Sequence, residues 1–229
     1  MKRVGTGITG VDKMIDGGIP EGHIVALVGP FGAGKTTFAL QFIRDGLIND
    51  QSCLYISLEE SDDRLLKTAL NYGWDLKPYV DSEKFSIFKV EAADITNSLI
   101  RLESTFPTMI KSTGASKVVI DPITLFEMLF DDEAKRRKNV FDLLKIISDT
   151  GATTLITSEV NKDRTGSRYG LIEYVVDGVI ILHKIRDEFR RVHHAIQIDK
   201  MRWSDHSKEI KPYEITKEGV EVYMKSKVY

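Results

Sequence analysis

Residues 29–37 read GPFGAGKTT, a run with three glycines, one lysine and two threonines. Gly29, four residues, then Gly34-Lys35-Thr36 fits the phosphate-binding pattern G-x-x-x-x-G-K-[ST]. Glycines let successive backbone N–H groups curl around an anion, and the helix that follows offers its positive N-terminus. Lys35 would reach the outer phosphates of a nucleotide, and a threonine hydroxyl would ligate Mg²⁺. The expected cradle is Gly29, Pro30, Phe31, Gly32, Ala33, Gly34, Lys35, Thr36 and Thr37. Thr36 is the first candidate metal ligand.

A metal held this way needs a carboxylate from a second element. The apolar run KVVID ends in Asp121 and supplies one. Many buried strands end in aspartate, so this signal gains its weight from the loop. In open parallel sheets ligands gather beyond the carboxyl ends of the strands. Hydrolysis also needs a group that polarises water, and YISLEES offers Glu59 and Glu60. Adjacent carboxylates repel, which raises a pKa and favours one as a base. Spacing alone leaves a second reading equally open, in which the two acids merely begin the next loop or helix.

The elements that must carry these groups alternate. HIVALVG reads as a strand buried on both faces. From Lys35 to Asn49, Phe38, Phe42, Ile43 and Leu47 recur at helical spacing. CLYISL is the next strand. Ser61 is placed as an N-cap, with Asp62 and Asp63 in the first turn and Gly73 past the end. FSIFKV, KVVID and TTLITS are further strands. Between them lie helices over 95–111, which Pro107 is expected to kink or end, and over 133–150. DGVIIL, VHHAIQID, EIKPYEIT and GVEVYM follow with short, hairpin-like connections. The pattern predicts an α/β fold: a mostly parallel sheet flanked by helices, with an antiparallel C-terminal extension. No linker, repeat or low-complexity tract interrupts it, so residues 1–229 are read as one domain.

The bulk properties exclude several classes. The 229 residues carry a net charge of −2, which argues against wholesale electrostatic binding to nucleic acid or membrane. Cys53 is the only cysteine, so no intramolecular disulfide forms and a reducing compartment is expected. The N-terminus MKRVGTGITGVDKM has no apolar core, and no apolar run is long enough to span a bilayer. The expectation is a cytoplasmic protein with no membrane partner.

Longer stretches resemble a known family. TGITGVDKMIDGGIPEGHIVALVGPFGAGKTTFALQFI is similar to the opening of a KaiC-type ATPase domain of the RecA/RadA superfamily. YISLEES resembles that family's paired catalytic glutamates, VVIDPIT its Walker B strand, and YGLIEYVVDGVIIL the segment before its last strands. IDKMRWSDHSKEIKPYEITKEGVEV resembles its closing motif. The resemblance runs from Thr6 to Val222. It implies a RecA-like P-loop NTPase that binds ATP and Mg²⁺, hydrolyses ATP slowly to ADP, and forms a homo-oligomer, with a hexamer favoured.

Under the resemblance Glu59 and Glu60 activate water. Lys200 and Arg202 would reach the neighbouring subunit's γ-phosphate, with Ser204 and His206 placing that segment or touching the nucleotide. Trp203 stands where the family favours glycine. Ser158-Glu159 stands where recombinases place an amide that senses the γ-phosphate. With one domain and no phosphorylated tail, the chain resembles the single-domain archaeal KaiC-like proteins, also called RadA paralogues. That implies a modulator of recombination and repair, with single-stranded DNA or a RadA-like recombinase as partner. The alternative is a KaiC-like ATP switch that docks on a signalling or motility assembly without DNA.

Three further signals each have a plainer reading beside the functional one. AKRRK at 134–138 is either a solvated helix face, offset by Asp131, Asp132 and Glu133, or a nucleic-acid contact. NKDRTGSRYG at 161–170 follows the strand after which RecA-like proteins place DNA-contacting loops. Lys162, Arg164 and Arg168 would make that contact, unless the segment is only a surface loop. His193 and His194 are adjacent on a strand, point to opposite faces and cannot chelate one metal. They read as ordinary strand residues.

Overall fold

The computed structural model describes residues 1–90, 99–161, 166–186 and 188–226. Two short strands, β1 (Arg3–Val4) and β2 (Ile19–Pro20), pair antiparallel around the six-residue helix α1 (Thr9–Met14). Strands and helices then alternate: β3 (Ile24–Val28), α2 (Lys35–Ile48), β4 (Cys53–Ser57), α3 (Asp62–Asn71), α4 (Lys77–Asp81) and β5 (Phe85–Lys89). Next come α5 (Leu99–Thr113), β6 (Lys117–Asp121), α6 (Ile123–Glu127), α7 (Glu133–Ser148), β7 (Thr153–Ser158) and α8 (Ile172–Val175). The last strands are β8 (Gly178–Arg186), β9 (Val192–Met201), β10 (Lys211–Thr216) and β11 (Gly219–Val222).

Nine strands form one sheet in the order β11-β10-β9-β8-β3-β7-β6-β4-β5. From β8 to β5 all pairings are parallel. β9, β10 and β11 continue the sheet antiparallel. This is the expected mostly parallel sheet with an antiparallel C-terminal extension. After β3 the chain crosses two strand positions before entering β4, which leaves a crevice beyond the carboxyl end of β3.

Alternation explains why the central strands read as unbroken apolar runs. Val25 and Leu27 of β3 pack into one core layer with Phe38 and Phe42 of α2. Ile24, Ala26 and Val28 pack into the other, with Leu143, Leu144 and Ile147 of α7. Every residue of β3, β4, β6 and β7 is buried, because both faces of the sheet are covered by helices.

Local signals fixed some boundaries and missed others. Asp132 caps α7, its side chain accepting from the Lys135 N–H at 2.8 Å. Ser61 holds the N-cap position of α3 with extended backbone but makes no side-chain cap. Of the helix expected over 95–111, residues 95–98 lie outside the described residues. Its described part runs through Pro107 to Thr113. Phe106 and Ile110, on either side of the proline, are buried in the core, and this packing outweighs the lost hydrogen bond. Among the described residues, no helix is long and apolar enough to cross a membrane.

Candidate phosphate and metal site

The GPFGAGKTT loop joins β3 to α2 at the carboxyl edge of the sheet. Gly34 is the N-cap of α2 in the left-handed region, at φ 86°. A Cβ there would lie 2.7 Å from Ile215 Cδ1, so both backbone and space demand glycine. The Lys35 ammonium donates to the carbonyls of Gly29, at 2.8 Å, and Pro30, at 3.2 Å. Burial lowers its pKa, while Asp121, Glu159 and Glu59 oppose that shift. These three carboxylates lie at or just beyond the carboxyl ends of β6, β7 and β4.

Asp121 is the hub of the site. Its Oδ2 accepts from Thr36 Oγ1 at 3.1 Å and from the Tyr55 hydroxyl, and its Oδ1 accepts from Thr157 Oγ1. Burial, then the Asp121 charge, holds the Tyr55 phenol far above its ordinary pKa, so it stays a donor. Tyr55 and Thr157 are two site residues that sequence reading did not single out. They lie on β4 and β7, the strands flanking β6, and only the strand order makes them neighbours of Asp121. A threonine hydroxyl beside a carboxylate is a hard oxygen set that suits Mg²⁺. Among the described residues no trio of His, Cys, Asp or Glu could hold a metal alone.

Glu59 and Glu60 follow β4, where the Ser57 hydroxyl accepts from the Glu60 N–H at 2.9 Å. The two differ in environment. Glu59 is exposed, whereas Glu60 is partly buried and its Oε2 has no hydrogen-bond partner among the described residues. Burial raises the Glu60 pKa; Arg64 pulls it back down, and Asp121 and Glu59 push it up. Thr37, the last residue of the expected cradle, turns its hydroxyl to Tyr72 at 3.1 Å. Ser158 and Glu159 sit at the end of β7. Ser158 Oγ lies 3.3 Å from Thr124 Oγ1, and Glu159 pairs with Arg168 at 2.9 Å.

The remaining candidates lie elsewhere. Met201 pairs with Gly178 and Gly178 with Val25, so Lys200 and Arg202 sit near the amino end of β3, opposite the loop. Lys200 Nζ donates to the carbonyls of Glu173 (2.9 Å) and Val176 (2.6 Å). Burial, with Arg202 beside it, lowers its pKa. Arg202 meets Asp177 at 3.4 Å. Ser204 accepts from Arg3 at 2.7 Å, and His206 Nε2 lies 3.1 Å from Lys208 Nζ. None of these four is brought to this subunit's own loop. Trp203 has φ 56° and is exposed, which gives a physical reason for the glycine favoured at that place. Lys162 and Arg164 lie outside the described residues. Arg168 sits near Arg136 of the AKRRK segment, the two guanidinium groups lying 5.7 Å and 4.1 Å from the Tyr169 ring.

A RecA-like sheet with a lysine-bearing phosphate loop and an aspartate at the end of β6 defines a P-loop NTPase. The sequence matches the family described as "ATPase: KaiC" over residues 4–227, and the chain belongs to that family. It is 34% identical to a UPF0273 protein of Thermotoga maritima, over 97% of this chain and 96% of that protein. It is 32% identical to the circadian clock oscillator protein KaiC of Acaryochloris marina, over 95% of this chain and 43% of that protein. A KaiC-like protein of Pyrococcus horikoshii has a solved structure that superposes with a TM-score of 0.87 at 33% identity, covering 97% of this chain and 99% of that one. Membership of the family implies nucleotide binding.

Proposed function

We propose that residues 1–229 act as one Mg²⁺-dependent ATPase domain of a cytoplasmic homo-oligomer, hydrolysing ATP slowly to ADP and phosphate. The observation that carries this reading is the 3.1 Å bond from Thr36 Oγ1 to Asp121 Oδ2, which brings the phosphate loop and the end of β6 together at the carboxyl edge of the sheet. The loop amides and Lys35 bind and orient the phosphates. Thr36 and Asp121 would hold Mg²⁺, which would supply neutralisation of the phosphate charge. Glu60, with its raised pKa and unpartnered oxygen, takes a proton from water as the water oxygen bonds the γ-phosphorus. The bond to the bridging oxygen breaks and ADP leaves. Lys200 and Arg202 serve the neighbouring subunit's site.

Replacing Glu59 and Glu60 together by Gln should leave ATP affinity intact and lower hydrolysis by about 10²–10⁴-fold. Most of that loss should already be present in Glu60→Gln alone. Hydrolysis at the parent rate in the double variant would assign water activation to another residue.

A second reading keeps the RadA-paralogue role in recombination, with single-stranded DNA or a RadA-like recombinase as partner. It is favoured by the clustering of Arg136 and Arg168 about Tyr169, which joins two basic segments far apart in sequence. Each phosphate neutralised on a single strand contributes about 0.7 to the log–log salt slope. Changing Lys162, Arg164 and Arg168 together to Ala should flatten that slope. A chain that binds no single strand even at low salt supports the ATP switch without DNA.

A further inference from the structure

The phosphate loop crosses the antiparallel extension of the sheet one strand at a time. A Cβ on Gly29 would lie 3.0 Å from Leu182 Cβ on β8. Two residues along β8, Lys184 Nζ donates to the Phe31 carbonyl at 3.3 Å and lies 5.4 Å from the Phe31 ring. On β9 the His194 ring stands beside the Gly32 backbone. On β10 the Tyr213 hydroxyl donates to the Ala33 carbonyl at 2.6 Å, and Ile215 lies against Gly34. Register makes this a single row, with Lys184 opposite His194 and His194 opposite Tyr213. Cross-strand partners share one face of a sheet. His194 is therefore more than an ordinary strand residue, because its face of β9 lies under the loop.

The chemistry of each donor fits. Burial lowers the His194 pKa, Lys184 and His193 lower it further, and the Gly32 backbone opposes them. The His194 Nε2 is buried without a partner among the described residues. The His194 and Tyr213 rings lie 5.2 Å apart. Burial pushes the Tyr213 phenol above its ordinary pKa, so its hydroxyl donates. Together with Lys35 on Gly29 and Pro30, four loop carbonyls, those of Gly29, Pro30, Phe31 and Ala33, have a side-chain donor, and His194 stands beside the Gly32 backbone between them. Tying the carbonyls to the sheet leaves the N–H groups of the loop to turn towards an anion.

We propose that Lys184, His194 and Tyr213 form a cross-strand row of positioning residues that holds the phosphate loop in its anion-binding shape. Phosphate affinity is then set by the antiparallel extension as well as by the loop. The inference rests on the reading that the loop binds nucleotide phosphates. Tyr213→Phe removes one hydroxyl and keeps the ring. It should weaken Mg²⁺-ATP and inorganic tripolyphosphate alike, by about 2–10-fold, since tripolyphosphate probes the loop with no base or sugar. His194→Asn, which keeps a donor near Nδ1, should bind as the parent does, and His194→Leu should weaken both ligands like Tyr213→Phe. Amide exchange at residues 31–34 should quicken in the weakened variants while their melting temperatures hold. Parental affinities in both Tyr213→Phe and His194→Leu, from a parent that binds both ligands, would overturn the row and leave the phosphate reading standing. A parent that binds neither ligand would overturn the phosphate reading, and the row with it.

Discussion

Glu127 shows how much one side chain can cost. It is fully buried on α6, and neither carboxylate oxygen has a hydrogen-bond partner among the described residues. Burial raises its pKa to about 8, helped by Glu173 and opposed by Arg136 and Arg168. The folded state thus keeps a proton that the unfolded chain releases near 4.5. Stability contributed by the protonated form is whole below 4.5 and is lost as pH rises towards 8, by up to about 1.4 kcal/mol per pH unit. Glu127→Gln should remove that slope, read as urea midpoints at pH 5 and pH 8 that move together. A parent equally stable at both pH values would show that Glu127 is ionised in the fold. At this scale the sequence was uneven. Lys35, Thr36 and Asp121 announce themselves by spacing, whereas Tyr55 and Thr157 join the Asp121 cluster only because β4 and β7 flank β6.

Among the elements, α2 ties the molecule together. Its start cradles phosphate, and its sides hold both ends of the chain. The Gln41 side chain donates to the Gly7 carbonyl at 3.0 Å and accepts from the Val220 N–H at 2.9 Å. Near its end Asp45 meets Lys117, a lysine with no exposed side-chain surface. Lys117 Nζ also donates to the carbonyls of Gly5 (2.8 Å) and Phe42 (3.1 Å), and lies 4.5 Å from the Phe42 ring. Removing one partner of a buried pair strands the other. Lys117→Met should lower unfolding free energy by about 3–5 kcal/mol in urea titration. A change below about 1 kcal/mol would mean that Asp45 is fully rescued by water. The long elements were legible because strands covered on both faces read as apolar runs and helices carry a 3.6-residue stripe. The strands β1 and β2 and the helices α1, α4, α6 and α8 were not. Strands of two residues cannot show an alternation, and helices of four to six residues are too short to show a 3.6-residue stripe.

For the whole molecule, the placement of Lys200 and Arg202 away from the subunit's own loop is the governing fact. Under the proposed function each site is completed by the next subunit, so specific activity should rise with protein concentration. Trans-acting cations contribute roughly 10³–10⁵ in rate in well-studied NTPases. Mixing Lys35→Ala subunits with Arg202→Ala subunits should restore activity that neither shows alone, because some interfaces then join an intact loop to an intact Arg202. Specific activity flat across dilution, with a monomer by light scattering in ATP, would reduce Lys200 and Arg202 to cations that cap the α8 carbonyls.

That separation of loop and cations also dictates how such an assembly can grow. A contact joining the two ends of the molecule pairs unlike surfaces, so it propagates in one direction and ends only by closing on itself or by running out of subunits. An open row of n subunits has n−1 complete sites, with one terminal loop left without its donor; closure supplies the last. Turnover per subunit is therefore a gauge of closure. A chain carrying both Lys35→Ala and Arg202→Ala would act as a terminator, silencing the two junctions it enters and no others.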